Sequence, residues 1–487
     1  MVMGRSGHAA CVAQLHAMAH AASAVRTRAS IGLVNVSPVF FSYVGGSDPA
    51  LKRRPAWLAM RYAVRNGRWR YVVRNGLACG KRSWIIGVSL IQQTERTVVQ
   101  QFFLSLGNRL CRLDLAPDGA MREVDSLDMP CNIQYACADA ARGLLYVVCS
   151  NGGVASRGDT HWLMTVAVRD AAMRLVGESV ALRYRPIHVA LDRAGHQLLV
   201  AYNLPAAVTV HALDDAGRVS EFVAAAEGQD LVGWFPHQVL PMPGMDAMLL
   251  TCRGDDATAD RPENPGSLRV LRVSRSQPRD ATLVQVVAPR GGLGFGPRNC
   301  GFHPTAPWLY AVLERQNGLA WFRLRPDGIA PELRGTVTLL ERPESLVRPQ
   351  LGGALAMHPS GRFAYAVNRS HAVVPDGDQF VWAGAENSIA VFRLDIETGA
   401  PQLLQHAPLA GLHARCIDLA HGGHLLVAAI RQPSARRVGH GIESCPAGLS
   451  VFRVAADGRL SLLRHHPIDV AGHQIFWAGA MPDATST

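Results

Sequence analysis

Residues 353–369 read GALAMHPSGRFAYAVNR. One apolar run enters a Pro-Ser-Gly turn, and a second, FAYAV, leaves it and ends on Asn368-Arg369. This is the pattern of a β-hairpin, because the turn residues supply backbone angles that strands avoid and the runs are too short for ordinary helices. The same figure recurs at the same length at 135–151, 187–203, 237–253, 298–314 and 415–431, with LLYVV, LLVAY, MLLTC, WLYAVL and LLVAAI in the place of FAYAV.

A second hairpin unit follows the first. It reads LDLAPDGAMREV at 113–124, VHALDDAGRVSEF at 210–222, WFRLRPDGIAPEL at 321–333, VFRLDIETGAPQLL at 391–404 and VFRVAADGRLSLL at 451–463. Its Asp-Gly and Thr-Gly pairs provide the positive φ that tight hairpins need. Two hairpins make four antiparallel strands, which is one blade of a propeller. The repeats end at 151, 203, 253, 314, 369 and 431, a period of 50–62 residues. Six complete repeats leave the pieces 100–124 and 473–481, which together supply a seventh blade and close the ring without an exposed sheet edge. The expected fold is therefore all-β: a seven-bladed β-propeller with four antiparallel strands per blade over 97–480, and a short tail at 481–487.

Residues 1–96 lack this period and read as a basic, disordered extension. Residues 1–94 hold 13 of the 49 Lys+Arg and one acidic residue, Asp48, so the extension carries +12 of the formal +11 and the remainder carries −1. A near-neutral remainder gives no reason to expect a nucleic-acid partner. The segment 61–74, RYAVRNGRWRYVVR, mixes Arg with Trp and Tyr as single-strand binders do, but a loosely attached extension accounts for it better. No uncharged apolar stretch is long enough to span a membrane. The ten cysteines show no CxxC pair and no zinc-type spacing, so they read as buried free thiols in a reducing compartment, the cytoplasm. His16, His20 and Gln14 interrupt what would be the apolar core of a signal peptide. Nothing calls for a metal, a cofactor or more than a monomer.

The repeat register says which residues meet. The start of a hairpin's first strand and the end of its second lie at one rim, opposite the turn. If this hairpin is innermost in each blade, the ends Asn151, Asn203, Arg253, Glu314, Arg369 and Arg431 and the starts Tyr135, Ile187, His237, Arg298, Gly353 and Arg415 surround the mouth of the central channel. A charged residue ending an apolar strand is usually only a solvated terminus. Here several arginines converge with one glutamate and one histidine, which suits a small anionic substrate because guanidinium grips carboxylate or phosphate bidentately.

The phrases Pro236-His237-Gln238, Gly296-Pro297-Arg298, Leu313-Glu314 and Val367-Asn368-Arg369, with HPSGRFAYAVNR and NSIAVFRLDIETGAPQLL, resemble the propeller lactonases. That family includes bacterial 6-phosphogluconolactonase and fungal 3-carboxy-cis,cis-muconate lactonizing enzyme, and the resemblance covers roughly 100–480. It implies catalytic roles for His237, Arg298, Glu314 and Arg369. The chain departs from the family in having Asn299 after Arg298, Arg253-Gly254-Asp255-Asp256 after the His hairpin, and larger insertions near 372–385 and 433–446.

Opening a lactone needs an activated water, an electrophile for the oxyanion and a proton for the leaving alkoxide. Glu314, the only carboxylate among the aligned rim positions, is the expected general base, and His237 the proton donor or its partner. Arg298 and Arg369 would hold the oxyanion or an anionic group. Arg253, Arg415, Arg431 and Asn203 would bind the rest of the substrate. His303 and His358 precede prolines at hairpin turns, away from the rim, and read as structural. No Gly-x-Ser-x-Gly elbow occurs, and the Gly-rich 291–296 is not followed by a helical pattern, so serine hydrolase and dinucleotide readings fall away. The resemblance implies hydrolysis of 6-phosphogluconolactone to 6-phosphogluconate, a step of the pentose phosphate pathway in glucose metabolism. The alternatives are a carboxymuconate cycloisomerase on the same rim and a propeller that binds without catalysing.

Overall fold

The apolar runs of the repeat form strands buried along almost their whole length: Leu144–Ser150, Gln197–Asn203, Met248–Cys252, Trp308–Leu313, Phe363–Ser370 and Leu425–Ile430. Both faces of such a strand meet a neighbouring sheet, so the sequence runs apolar without alternation. Outer strands such as Ala281–Val287 alternate between exposed and covered residues instead. The computed structural model describes residues 99–482 except 154–155, 170–171 and 274–280, together with the backbone of the strands Leu58–Arg65 and Arg68–Asn75.

Seven sheets follow one another around a ring. Five have four strands, and in two the outer strand is broken into pieces, Arg174–Leu175 with Val180–Ala181 and Gly328–Ile329 with Gly335–Thr338. The inner strands are Asn132–Asp139, Pro186–Leu191, Pro236–Pro241, Pro297–Phe302, Gln350–Met357, Ala414–Ala420 and Ala478–Ala480. Seven apolar clusters join them, each shared between two successive sheets, including one between the first and last (Phe102 and Leu104 against Val427 and Leu449). The ring is closed. The fold is the expected seven-bladed propeller.

Closure runs through the end of the chain. Ala478–Ala480 pairs with Gln100–Leu106 as Phe102↔Ala480 and Leu104↔Ala478. Ser105 N–H donates to the Trp477 carbonyl at 2.9 Å. Asp418, from the neighbouring inner strand, accepts the Ala480 N–H at 2.8 Å. Burial lifts the Asp418 carboxyl to about 6.

The repeat also explains how blades lock together. Tyr146, Tyr310 and Tyr365, at one position of the apolar strand, donate to the carbonyls of Gly217, Gly399 and Gly458 in the turn of the next blade, at 2.8, 2.9 and 3.1 Å. Those glycines have φ between 71° and 89°, and a Cβ at Gly399 would lie 2.4 Å from the Trp308 ring. The turns thus need glycine for both conformation and fit.

Two hairpins stand outside the blades, Val373–Asp376 with Gln379–Trp382 and Ser434–Val438 with Gly441–Cys445. They form the two insertions, begin just after Arg369 and Arg431, and meet through an Arg437–Asp376 ion pair at 2.5 Å. The first 94 residues form a separate unit. Its described part is an antiparallel hairpin, with Arg65 opposite Arg68, which the reading of 1–96 as an unstructured extension did not assign. The sequence between its strands is Asn66-Gly67, a strong hairpin signal. The rest of that segment, and the tail beyond 482, lie outside the described residues.

Candidate active site

Each of six inner hairpins carries a β-bulge near the start of its inner strand. Pairing passes from Pro236 to Gln238, from Pro297 to Asn299 and from Ala414 to Cys416, so the residues left out of the ladder are His237, Arg298 and Arg415. A bulge frees a side chain from the strand's alternation and re-aims it. The repeated bulge thus places the functional residues at equivalent points of the mouth. In the blade that starts at Asn132 the skipped residue is Gln134, and Ser150, paired with Asn132, follows the pair that flanks the bulge, Ile133↔Cys149. The counterparts there are Gln134 and Ser150, one residue before Tyr135 and Asn151.

Glu314 sits at the centre of an arginine cage. Its Oε1 accepts from Arg298 Nε at 3.1 Å and Arg369 Nη2 at 2.5 Å, and its Oε2 accepts from Arg253 Nη1 at 2.7 Å. Arg253 also reaches Asp255 at 3.4 Å, so the departing loop 253–256 contributes a carboxylate of its own. Glu314, Arg298 and Arg369 are 5%, 4% and 3% exposed, so the ion pairs are sheltered from solvent screening. Burial would raise the Glu314 carboxyl, but Arg369, Arg253 and Arg298 together hold it down to about 2.

The room for this cage comes from two glycines. A Cβ on Gly353 would lie 2.9 Å from Val367 Cβ and 3.3 Å from Arg369 Nε, and one on Gly352 would lie 2.8 Å from the Leu313 carbonyl. Arg369 Nη2 also donates to the Gly352 carbonyl at 3.1 Å. Gly353→Val is therefore expected to push Arg369 off Glu314 and lower kcat/KM on the order of 10²-fold, Gly353→Ala less. Steady-state kinetics of the two variants check this.

His237 is half-buried, and its ring makes no hydrogen bond among the described residues; Nδ1 is buried and unpartnered. Burial, then the charges of Arg298, Arg415 and Arg253, hold it well below the usual histidine range, so it is a neutral imidazole at neutral pH. Thr251 Oγ1 donates to the Arg298 carbonyl at 2.9 Å, and the Cys300 N–H donates to Gln238 Oε1 at 2.6 Å, tying the His237 and Arg298 strands together.

Arg415 and Arg431 lie across the mouth. Both guanidiniums stack on the Phe476 ring, at 4.2 and 5.2 Å from its centroid. Arg415 Nε donates to the Phe476 carbonyl at 2.9 Å, and Arg431 Nε to Gln474 Oε1 at 2.8 Å. Asn203 ends its strand at the equivalent rim position, buried, and joins none of these ion pairs.

Sequence reasoning missed four further residues. Arg185 is buried and donates from Nε to Gln134 at 3.0 Å. His188 is buried against Tyr135, ring centroids 4.1 Å apart. His413 Nε2 faces Arg369 Nη1 at 3.3 Å, and its Nδ1 faces His371 Nδ1 at 3.0 Å. Arginine can only donate, so His413 accepts at Nε2, carries its proton on Nδ1 and donates it to His371. Arg185 and His413 each directly precede an inner strand, Pro186–Leu191 or Ala414–Ala420, and lie outside the repeat, which begins two residues later at Ile187 and Arg415. By contrast His303 caps its turn, accepting the Ala306 N–H at 2.9 Å.

The buried histidines predict acid lability. Burial takes His188 down to about 3 and His211 to about 4. Above pH 6.5 they are neutral folded or unfolded and contribute no pH dependence. Below it the unfolded chain binds protons that the fold refuses, and stability falls. At pH 5 His188 alone costs about 2 kcal/mol. Glu314 acts in the same direction only below 4.5, its stabilisation being lost as pH falls toward 2. The urea midpoint should drop between pH 7.5 and 5.0.

The closed propeller thus brings arginines, one carboxylate and an unbonded imidazole to one mouth, from bulges (His237, Arg298, Arg415) and from strand ends (Arg253, Glu314, Arg369, Arg431). A family model described as "Lactonase, 7-bladed beta-propeller" matches residues 107–438. The chain belongs to that family. It is 23% identical over 226 residues to a 6-phosphogluconolactonase of Bacillus subtilis, covering 46% of this chain and 57% of that protein. It is 25% identical over 270 residues to one of Cronobacter sakazakii, covering 53% and 70%. The chain thus spans less than two thirds of the Bacillus relative. Its fold is that of a periplasmic gluconolactonase of Pseudomonas aeruginosa, at TM-score 0.59 and 18% identity over 77% of this chain and 97% of that one.

Proposed function

We propose that the protein hydrolyses 6-phosphogluconolactone to 6-phosphogluconate at the arginine-lined mouth, by acid–base chemistry of its own side chains. The observation that carries this is the conjunction of an unbonded neutral imidazole, His237, with guanidiniums gathered around a single central carboxylate, Glu314. The curated relatives carry the same activity in their names.

Of the two candidates for the base, the surroundings favour His237. Both oxygens of Glu314 are engaged by guanidiniums, whereas the His237 ring has no hydrogen-bond partner among the described residues and is free to take a proton from water. Glu314 instead fixes Arg298 and Arg369 against the carbonyl oxygen. Water attacks the lactone carbonyl as His237 takes its proton, and the arginines stabilise the oxyanion. The carbon–ring-oxygen bond then breaks, and the leaving oxygen takes the proton back from the imidazolium. In the empty mouth the arginines disfavour imidazolium, and a bound anion cancels part of that field. The acid limb of kcat should accordingly lie at higher pH than that of kcat/KM, which reports the free enzyme. Coincident limbs would remove His237 from the role.

Among the described residues no group of three or more His, Cys, Asp or Glu is placed to hold a metal ion, and activity is expected to survive EDTA. The reaction would sit in glucose metabolism, in the pentose phosphate pathway. A cytoplasmic location fits the eight free thiols of the described residues, including Cys131 and Cys149, whose sulfurs lie 3.5 Å apart in a hydrogen bond and not a disulfide. Among those residues no helix is long and apolar enough to cross a membrane. A turnover panel of 6-phosphogluconolactone, gluconolactone and carboxymuconolactone tests the reading. Preference for the third would make the protein a cycloisomerase, and turnover of none a binding propeller.

A further inference from the structure

The mouth has two unlike arcs. On the His237–Arg369 side, Arg253, Arg298 and Arg369 are met by Glu314, and Arg253 also by Asp255. On the other side, where the last blade meets the closing strand and the next blades begin, stand Arg185, Arg415 and Arg431. Among the described residues, no carboxylate hydrogen-bonds or ion-pairs with any of the three. Arg185 is 7% exposed, and among the described residues its one hydrogen bond runs from Nε to Gln134, with neither Nη group engaged there. Arg415 and Arg431 share the Phe476 ring as a common support, which brings two cations together.

Arg185 is buried and Arg415 and Arg431 are half-buried; holding like charges together partly out of water without a counter-charge costs free energy, and folding alone gives no reason for it. The field is felt throughout the arc. Burial, then Arg298 of the facing arc and Arg431 of its own, bring Arg415 down to about 9, and burial followed by Arg431 lowers Arg185. The arrangement makes sense if the missing counter-charge arrives with a ligand, since guanidinium forks bind phosphate or carboxylate in two bonds each.

We infer that Arg185, Arg415 and Arg431 form a separate subsite for a non-reacting dianionic group, a phosphate monoester or a pair of carboxylates, while the lactone ring lies at Glu314 and His237. This rests on the lactonase reading for the ring but not for the anion. It divides the mouth into a reacting half and a gripping half. Binding energy from the gripping half then positions the carbonyl at the other.

Two measurements test it. The first is calorimetric titration of the full chain with inorganic phosphate and with malonate at pH 8. Wild type should bind at least one of them, and Arg431→Gln and Arg185→Gln should each weaken binding about tenfold or more at unchanged melting temperature. Arg185→Lys should recover part of the loss. The choice between phosphate and malonate tells which dianion the arc takes. The second is the ratio of kcat/KM for 6-phosphogluconolactone to that for neutral gluconolactone, expected on the order of 10²-fold in wild type and much reduced in both glutamine variants. If a variant fails to fold, the wild-type ratio still decides. Neither anion binding, or equal binding by wild type and variants, overturns the subsite. So does equal turnover of charged and neutral lactones, which leaves the lactonase reading standing. Anion binding lost in the variants with no lactone turned over leaves the subsite and removes the lactonase.

Discussion

Glu314→Gln is expected to cost both activity and stability. The carboxylate is the one group that three guanidiniums share, at 2.5 to 3.1 Å. Glutamine keeps the size and one acceptor oxygen but removes the charge. It would leave Arg298 and Arg369, both almost fully buried, with no carboxylate partner among the described residues. Removing one partner of a buried ion pair typically costs about 3–5 kcal/mol, because the remaining charge is stranded. The arginines would also lose the orientation that aims them at the oxyanion, so kcat/KM should fall roughly 10²–10³-fold, the loss seen when one oxyanion donor is removed. Urea melts and steady-state kinetics on one preparation separate the two effects. Unchanged stability with lost activity would return Glu314 to the role of general base. Unchanged activity would remove it from the site.

The second large effect is expected from deleting residues 477–487. This removes Ala478–Ala480, the inner strand of the blade that joins the two ends of the chain, and Trp477, which is 6% exposed in the adjoining cluster. The edge of Gln100–Leu106 would be bared, with the Ser105 bonds to 477 gone. A propeller short of one inner strand loses packing on both flanking blades and presents an open edge for aggregation. The truncated chain should fail to unfold cooperatively and should form oligomers, as read by calorimetry and size-exclusion chromatography. Asp418→Asn, which retains an acceptor for the Ala480 N–H, should by comparison cause only a modest loss. A truncated chain melting as wild type does would show that closure is not by this strand.

The blade count and the closure were legible because they rest on periodicity, which a single sequence carries in full. FAYAV and its counterparts had to be buried strands, and the leftover pieces at 100–124 and 473–481 had to pair. The mouth residues were legible to the extent that the repeat register reaches them. His237, Arg298 and Arg415 occupy one bulge position, and Arg253, Glu314, Arg369 and Arg431 one strand end. What escaped lies where register fails. Arg185 and His413 sit in connections between blades, and His371 opens an insertion, so no repeat marks them. The bulge itself was invisible, since an unpaired residue looks like any other in sequence. The cage could not be foreseen either: that Glu314 meets three arginines rather than open water follows from side-chain reach across three blades.

This mouth is expected to open a lactone. The direct measurement is acid release from fresh 6-phosphogluconolactone in a pH-stat, with and without wild-type protein in EDTA, against the spontaneous rate. Turnover proportional to protein concentration, lost in His237→Gln while melting temperature is kept, is the predicted result. A rate equal to that of buffer alone, from protein that is folded and binds phosphate, would contradict it.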